Sequence, residues 1–221
     1  VVFSNDAYAL RLMADWEKLE FVGLIGKTAR SGLYDFDISR PNYDGDTNRH
    51  LFGFRLDYEI ATEIKPFVSY FIQRDHNPDT ESLDTIFGPM NFDYNSQYFS
   101  FGATGSVGPQ LTYSLEIVSE RGSTLSSPFV QPATAVPQTK DSIDAWAGVL
   151  NIIYALRDSN LTNFSFTGAF GTGDPDRLST SGTYGGNSTG TTDRAFNSLG
   201  YIYTGLAYAP DLANLAMFRL G

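Results

Sequence analysis

The sequence predicts an all-β fold: one domain over residues 1–221, built as an antiparallel up-and-down transmembrane β-barrel of about ten strands. Three observations carry this. Segments of alternating apolar and polar residues recur along the chain. The connections between them alternate strictly between short and long. The polar side of the alternation is small, hydroxylic and almost free of lysine. No segment of length holds a helical period.

The first strands are expected at 7–15 and 19–28, around a tight turn at 16–18. The stretch HLFGFRLDYEIATEIKPFVSYF, residues 50–71, is the clearest. Phe52, Phe54, Leu56, Tyr58 and Ile60 share one parity, and Gly53, Arg55, Asp57 and Glu59 the other. Successive side chains on a strand point to opposite faces, so this is a strand with one apolar and one charged face. It predicts strands at 49–60 and 64–74 with a turn at 61–63. Further strands follow at 97–106 and 111–120 around 107–110, then at 142–154 and 161–170 around 155–160. The last two are expected at 196–206 and from 214 onward.

The remaining connections, 31–48, 75–96, 121–141 and 171–195, are long and rich in Gly, Ser, Thr, Asn, Asp and Pro. In an up-and-down sheet all short turns then lie at one edge and all long loops at the other. Outer-membrane barrels have that asymmetry, whereas a Greek-key sandwich has no reason to keep it.

Composition agrees. The chain is 42% hydrophobic and 14% aromatic, with mean hydropathy −0.20. No run approaches the ~20 apolar residues of a membrane helix, but barrel strands need only ~9–11 each. A formal net charge of −10 argues against nucleic acid, whose binding rests on Lys and Arg. The absence of cysteine excludes disulfides and thiolate chemistry. No signal peptide is visible, so any targeting segment is expected to be removed or to lie outside these residues.

The polar faces decide which way the apolar faces look. Thr112, Ser114 and Glu116 stand opposite Leu111, Tyr113, Leu115 and Ile117. Ser100, Gly102 and Thr104 stand opposite Phe99, Phe101 and Ala103. A soluble sheet shows water a surface dense in charge, while a wide lumen is polar without being crowded with it. Aromatic residues cluster near both strand ends: Trp16, Tyr58, Tyr113 and Tyr154 toward the short turns, and Phe52, Phe71, Phe99, Trp146 and Phe170 toward the long loops. Two girdles of this kind mark the two lipid interfaces. The alternative is a soluble β domain whose rings form its core. On the lipid-facing reading, the localisation is a bacterial-type outer membrane.

The C-terminal third carries GTGDPD at 171–176, a Gly/Ser/Thr-rich loop, and TTDRAFNSLGYIYTGLAYAPDLANLAMFRLG at 191–221. This resembles the outer-membrane alginate-export family, in particular its divergent members. Gly173-Asp174 is similar to the start of that family's Gly-Asp-x-Asn-Pro loop, although Pro175-Asp176 departs from its continuation. The resemblance implies an eighteen-stranded barrel that exports an anionic polysaccharide through a basic pore. These residues would then be a partial barrel, cut at both ends.

The expected pore-lining residues are Arg11, Arg55, Asp57, Glu59, Lys65 and Glu116, each on the lumenal side of its strand toward the short turns. Opposed acids and bases across a pore create a transverse field that orients solutes. The alternative is a salt-bridge network that only satisfies buried charge. Because that lining is mixed in sign, neutral solutes fit as well as anionic ones. Lys27, Arg30, Arg49, Arg74 and Arg121 form a basic set at the long-loop edge, able to draw anions to the mouth or bind lipopolysaccharide phosphates. Asp44 and Asp46 in YDGDTN offer oxygen ligands for calcium, without the spacing of an EF-hand; an Asp/Gly turn is the competing reading.

No cofactor is called for, and nucleophile-elbow, P-loop and zincin motifs are absent. His50 and His76, close in sequence to Asp44, Asp46, Asp75 and Asp79, keep open a surface hydrolase at the mouth. A structural or receptor barrel is the third reading. The expected function is a porin- or exporter-like channel for a hydrophilic solute or polysaccharide, with membrane lipid and lipopolysaccharide as partners.

Overall fold

Alternation of apolar and polar residues, repeated from strand to strand, produces one nine-stranded sheet. Its strands are β1 (Ala7–Trp16), β2 (Leu19–Thr28), β3 (Arg49–Tyr58), β4 (Lys65–Asp75), β5 (Tyr94–Val107), β6 (Leu111–Leu125), β7 (Lys140–Ala155), β8 (Asn163–Gly171) and β9 (Leu215–Leu220). Each pairs antiparallel with its neighbours in chain order, and β1 and β9 are the two ends of the sheet. Two small hairpins, Leu83–Thr85 with Gly88–Met90 and Phe129–Val130 with Thr134–Ala135, lie outside it. The computed structural model describes residues 7–28, 49–76, 83–85, 88–90, 93–127, 129–130, 134–156, 158–159, 161–177, 187–197 and 213–221. Among these there is no helix, and so none long and apolar enough to cross a membrane.

The strands beside the centre are longer than their patterning suggests. β5 starts at Tyr94, β6 runs to Leu125 and β7 starts at Lys140, because Tyr94, Ser96, Thr124 and Asp141 carry the inner-face parity into the expected loops. The strand expected at 196–206 does not form where it should begin. Residues 195–197 are irregular, and 198–212 lie outside the described residues. β9 pairs directly with β8, from Phe166↔Leu220 to Gly171↔Leu215. Phe196 instead serves as an anchor, its ring 6.2 Å from that of Tyr98 in a cluster with Ala145, Ala147 and Ala169. Among the described residues the main sheet has nine strands.

The two faces differ sharply in exposure. On one, called outer here, Phe52, Phe54, Tyr58, Phe99, Phe101, Trp146, Phe164 and Phe170 are exposed, Phe101 by 48% and Phe164 by 56%. On the other, the inner face, Ser96, Ser100 and Glu120 are 0 to 2% exposed. The register fixes this membership. Phe21↔Leu56↔Val68↔Phe101↔Ile117 runs across five strands of the outer face, and Ser114↔Asn151↔Thr167 across three of the inner. The inner row is also hydrogen-bonded: Asn151 Nδ2 donates to Ser114 Oγ at 3.2 Å, and Thr167 Oγ1 to Asn151 Oδ1 at 2.9 Å. On β7 the outer apolar run from Trp146 to Tyr154 covers roughly 27 Å at ~3.4 Å per residue.

Large rings on the inner face are seated over glycines. A Cβ on Gly53 would come within 2.0 Å of the Phe71 ring, and one on Gly102 within 2.4 Å of the Phe67 ring. Phe71 therefore belongs to the inner face, not to an outer aromatic girdle, because it shares the parity of Phe67 and Ser69.

Candidate functional site: the inner face of the sheet

Near the short turns the inner face gathers charge. Arg55 on β3 donates through Nε and Nη2 to the two carboxylate oxygens of Asp57, at 2.8 and 2.7 Å. Its guanidinium carbon lies 3.6 Å from the centroid of the Phe67 ring. The ring covers the ion pair on one side, and the bidentate geometry fixes the guanidinium's orientation. Lys65 on β4 reaches over β3 to Glu20 on β2, at 2.8 Å. Asp57 stands in register between Glu20 and Phe67. Glu116 on β6, between Gly102 and Val149, joins this field from the far side. A cleft of about 340 Å³ opens beside the group, bordered by Glu59, Lys65, Thr104, Ser106, Thr112 and Tyr113.

Of the residues expected to line a pore, Arg55, Asp57, Lys65 and Glu116 thus share one face and one end, and Glu59 borders the same cleft. Arg11 has the same facing but lies on the terminal strand, opposite Leu24 and exposed. Glu20 completes the pattern as the direct partner of Lys65.

The long-loop half of the inner face is organised differently. Glu120 on β6 is fully buried. Its Oε1 accepts hydrogen bonds from the Tyr94 and Tyr98 hydroxyls at 2.5 and 2.9 Å, and its Oε2 accepts one from the Asn197 backbone N–H at 2.7 Å. Nothing in local alternation distinguishes Glu120 from Glu116. Its partners come from β5 and from residues 77 positions away, so the sequence held no signal for the cluster beyond an acid of inner parity.

Asn197 belongs to residues 187–197, which fold back over the inner face. Asp193 forms a parallel bridge with Ile143. Its N–H donates to Ser142 O, and its carbonyl accepts from Asp144 N–H, both at 2.8 Å. Its buried carboxylate takes a hydrogen bond from Arg177 Nη2 at 2.5 Å. Burial raises the Asp193 carboxyl above its ordinary range, and Arg177 acts against that shift. The GTGDPD motif holds the start of this fold-back. Asp174 accepts from Asn187 Nδ2 at 2.8 Å, Arg194 N–H at 2.6 Å and Asp176 N–H at 2.8 Å. Thr172 Oγ1 accepts from Trp146 N–H and donates to Arg194 O. The motif's short polar side chains thus tie an irregular segment to the ends of β7 and β8.

The basic residues of the long-loop edge are divided by parity. Arg49 faces inward, buried and paired with Asp75 at 3.2 Å. Arg121 faces outward, paired with Asp144 at 2.6 Å and 5.9 Å from the Trp146 ring centroid. Lys27 and Arg74 are outward on either side of His50. Arg30, Asp44, Asp46 and Asp79 lie outside the described residues. The His50 and His76 rings are 4.5 Å apart on the outer side, while Asp75 turns inward to Arg49. No protein-family model and no curated protein matches the chain.

Proposed function

We propose that this chain forms part of an outer-membrane β-barrel channel that passes a hydrophilic solute, neutral or anionic, with an exported polysaccharide among the candidates. The carrying observation is the contrast between the faces: exposed rings on the outer face, and an inner face that buries polar side chains beside a small apolar cluster. Such an arrangement is stable where the outer face meets hydrocarbon and the inner face meets water. The apolar run from Trp146 to Tyr154 matches the ~9–11 residues a barrel strand needs to cross a bilayer. On this reading the chain is a divergent relative of the alginate-export family, to which its C-terminal third is similar.

The open ends add support for a larger barrel. Among the described residues β1 and β9 each have one partner in the sheet, and hydrocarbon cannot satisfy a bare strand edge. In an alternating sheet of nine strands the first and last run the same way, so pairing them directly would make a parallel seam. Antiparallel closure takes an odd number of further strands. A barrel of ~16–18 strands leaves an aqueous channel. In that channel Arg55, Asp57, Glu20, Lys65 and Glu116 form a wall of mixed charge, and residues 187–197 narrow the passage at the long-loop end. The mixed wall favours neutral or zwitterionic solutes over a strongly acidic polymer.

The test is conductance of the full-length protein in planar bilayers, beside Arg11→Ala/Arg55→Ala. Open channels whose ion selectivity shifts toward cations in the variant are the expected result. A protein that dissolves readily without detergent, or never conducts, overturns the reading.

A further inference from the structure

The outer face changes character abruptly at its long-loop end. Ile25, Phe52 and Ile72 stand in register on β2, β3 and β4. One step further out in the same parity stand Lys27, His50 and Arg74, again in register. His76, two residues beyond Arg74, brings its ring to 4.5 Å from that of His50. Strands in a sheet are ~4.8 Å apart, so Lys27, His50 and Arg74 occupy a patch about 10 Å wide. The acid nearest in sequence, Asp75, has the opposite parity and is held on the inner face by Arg49. The neighbouring outward base, Arg121, already has Asp144 as its partner. Lys27 and His76 are exposed.

We propose that Lys27, His50, Arg74 and His76 form a binding site for the phosphate of a lipid headgroup, set at the upper margin of the apolar band. The inference rests on the outer face being the lipid-facing one and deepens that reading by naming a lipid chemistry. A phosphate monoester offers several acceptor oxygens, and an Arg with a Lys supplies charge-assisted donors to them. The two imidazoles add a nitrogen donor each. The position selects a lipid over a free anion. Immediately below the four side chains lie Ile25, Phe52 and Ile72, which acyl chains attached to the same headgroup would cover. A wall that only drew solutes toward the pore would carry these bases on the inner face.

The experiment uses full-length protein in neutral detergent, titrated separately with lipid A, inorganic phosphate and phosphatidylcholine, with bound lipid counted by native mass spectrometry. Wild type is expected to retain lipid A in preference to phosphatidylcholine and to show little response to inorganic phosphate. Lys27→Gln/Arg74→Gln should weaken lipid A retention by roughly 30-fold, following the usual contribution of two bases at an anionic surface. His50→Gln/His76→Gln should weaken it less. Lys18→Gln, at the opposite, short-turn end, should leave it unchanged. Insertion of each variant into phosphatidylcholine vesicles is measured in parallel. Normal insertion with lipid A retention within twofold of wild type refutes the headgroup site and leaves the membrane reading intact. Inorganic phosphate binding as tightly as lipid A also refutes it. Failure of wild type to insert removes both.

Discussion

Replacing Glu120 tests whether one buried acid holds the folded-back segment in place. In Glu120→Leu three hydrogen bonds are lost, at 2.5, 2.9 and 2.7 Å. Tyr98 is not orphaned, because its hydroxyl also reaches Asn197 O at 2.7 Å. The Tyr94 hydroxyl and the Asn197 N–H lose their Glu120 acceptor. Each buried donor left without a partner costs about 1–3 kcal/mol, so the sum is ~2–6 kcal/mol. Removing a buried carboxylate offsets part of this, which argues for the lower half of that range. Glu120→Gln keeps one oxygen but turns an amide N–H₂ toward a donor, for about 1–3 kcal/mol. The assay is amide hydrogen exchange at Asn197 and Phe196 in reconstituted protein, beside urea unfolding in vesicles. Local opening easier by ~2 kcal/mol speeds exchange at Asn197 about 30-fold. Glu120→Gln should fall between wild type and Glu120→Leu. Exchange in Glu120→Leu within about threefold of wild type would refute the assignment of Glu120 as the anchor.

Three further outcomes are expected. Leu56→Arg, on the outer face between Phe21 and Val68, should cost ~2–4 kcal/mol in urea unfolding from vesicles if it lies near the bilayer midplane. Gly53→Ala should destabilise by about 1–3 kcal/mol, because the Phe71 ring occupies the Cβ position; Phe71→Leu in the same chain should recover part of that loss. Arg177→Met leaves the buried Asp193 carboxylate without this cation and should cost ~3–5 kcal/mol near neutral pH. The sign of its pH dependence follows from burial. A carboxyl whose folded-state pKa is raised binds its proton more tightly in the folded state, so its contribution to stability falls as pH rises from the ordinary value of 3.8 through the raised one. Removing Arg177 raises the folded value further. The deficit of Arg177→Met against wild type, read as thermal midpoint from pH 4 to pH 8, should therefore shrink on acidification; a constant deficit would count against it.

Much of the sheet was legible because strand periodicity is a local property. Phe52, Phe54, Leu56 and Tyr58 against Arg55 and Asp57 determine a two-faced strand whatever surrounds them, and each short turn limits its strands to neighbouring antiparallel pairing. The grouping of Arg55, Asp57, Lys65 and Glu116 followed from parity and distance to the turns. The lysine-poor polar faces were equally legible, and the apolar side opposite them is the more exposed one. What lay outside local patterning needed the tertiary structure. Phe71 and Phe52 look alike in sequence near the long loops, and only register across Gly53 separates inward from outward. Phe196 opens a stretch with strand-like composition, yet its own ring is buried against Tyr98 and three alanines and residues 195–197 are irregular. Glu120 and Asp193 are unremarkable acids until residues far away in the chain supply the hydroxyls, amide and guanidinium that make their burial tolerable. Desolvating a charge is costly unless partners converge on it, and convergence of distant segments is decided by packing, which alternation within one strand does not encode.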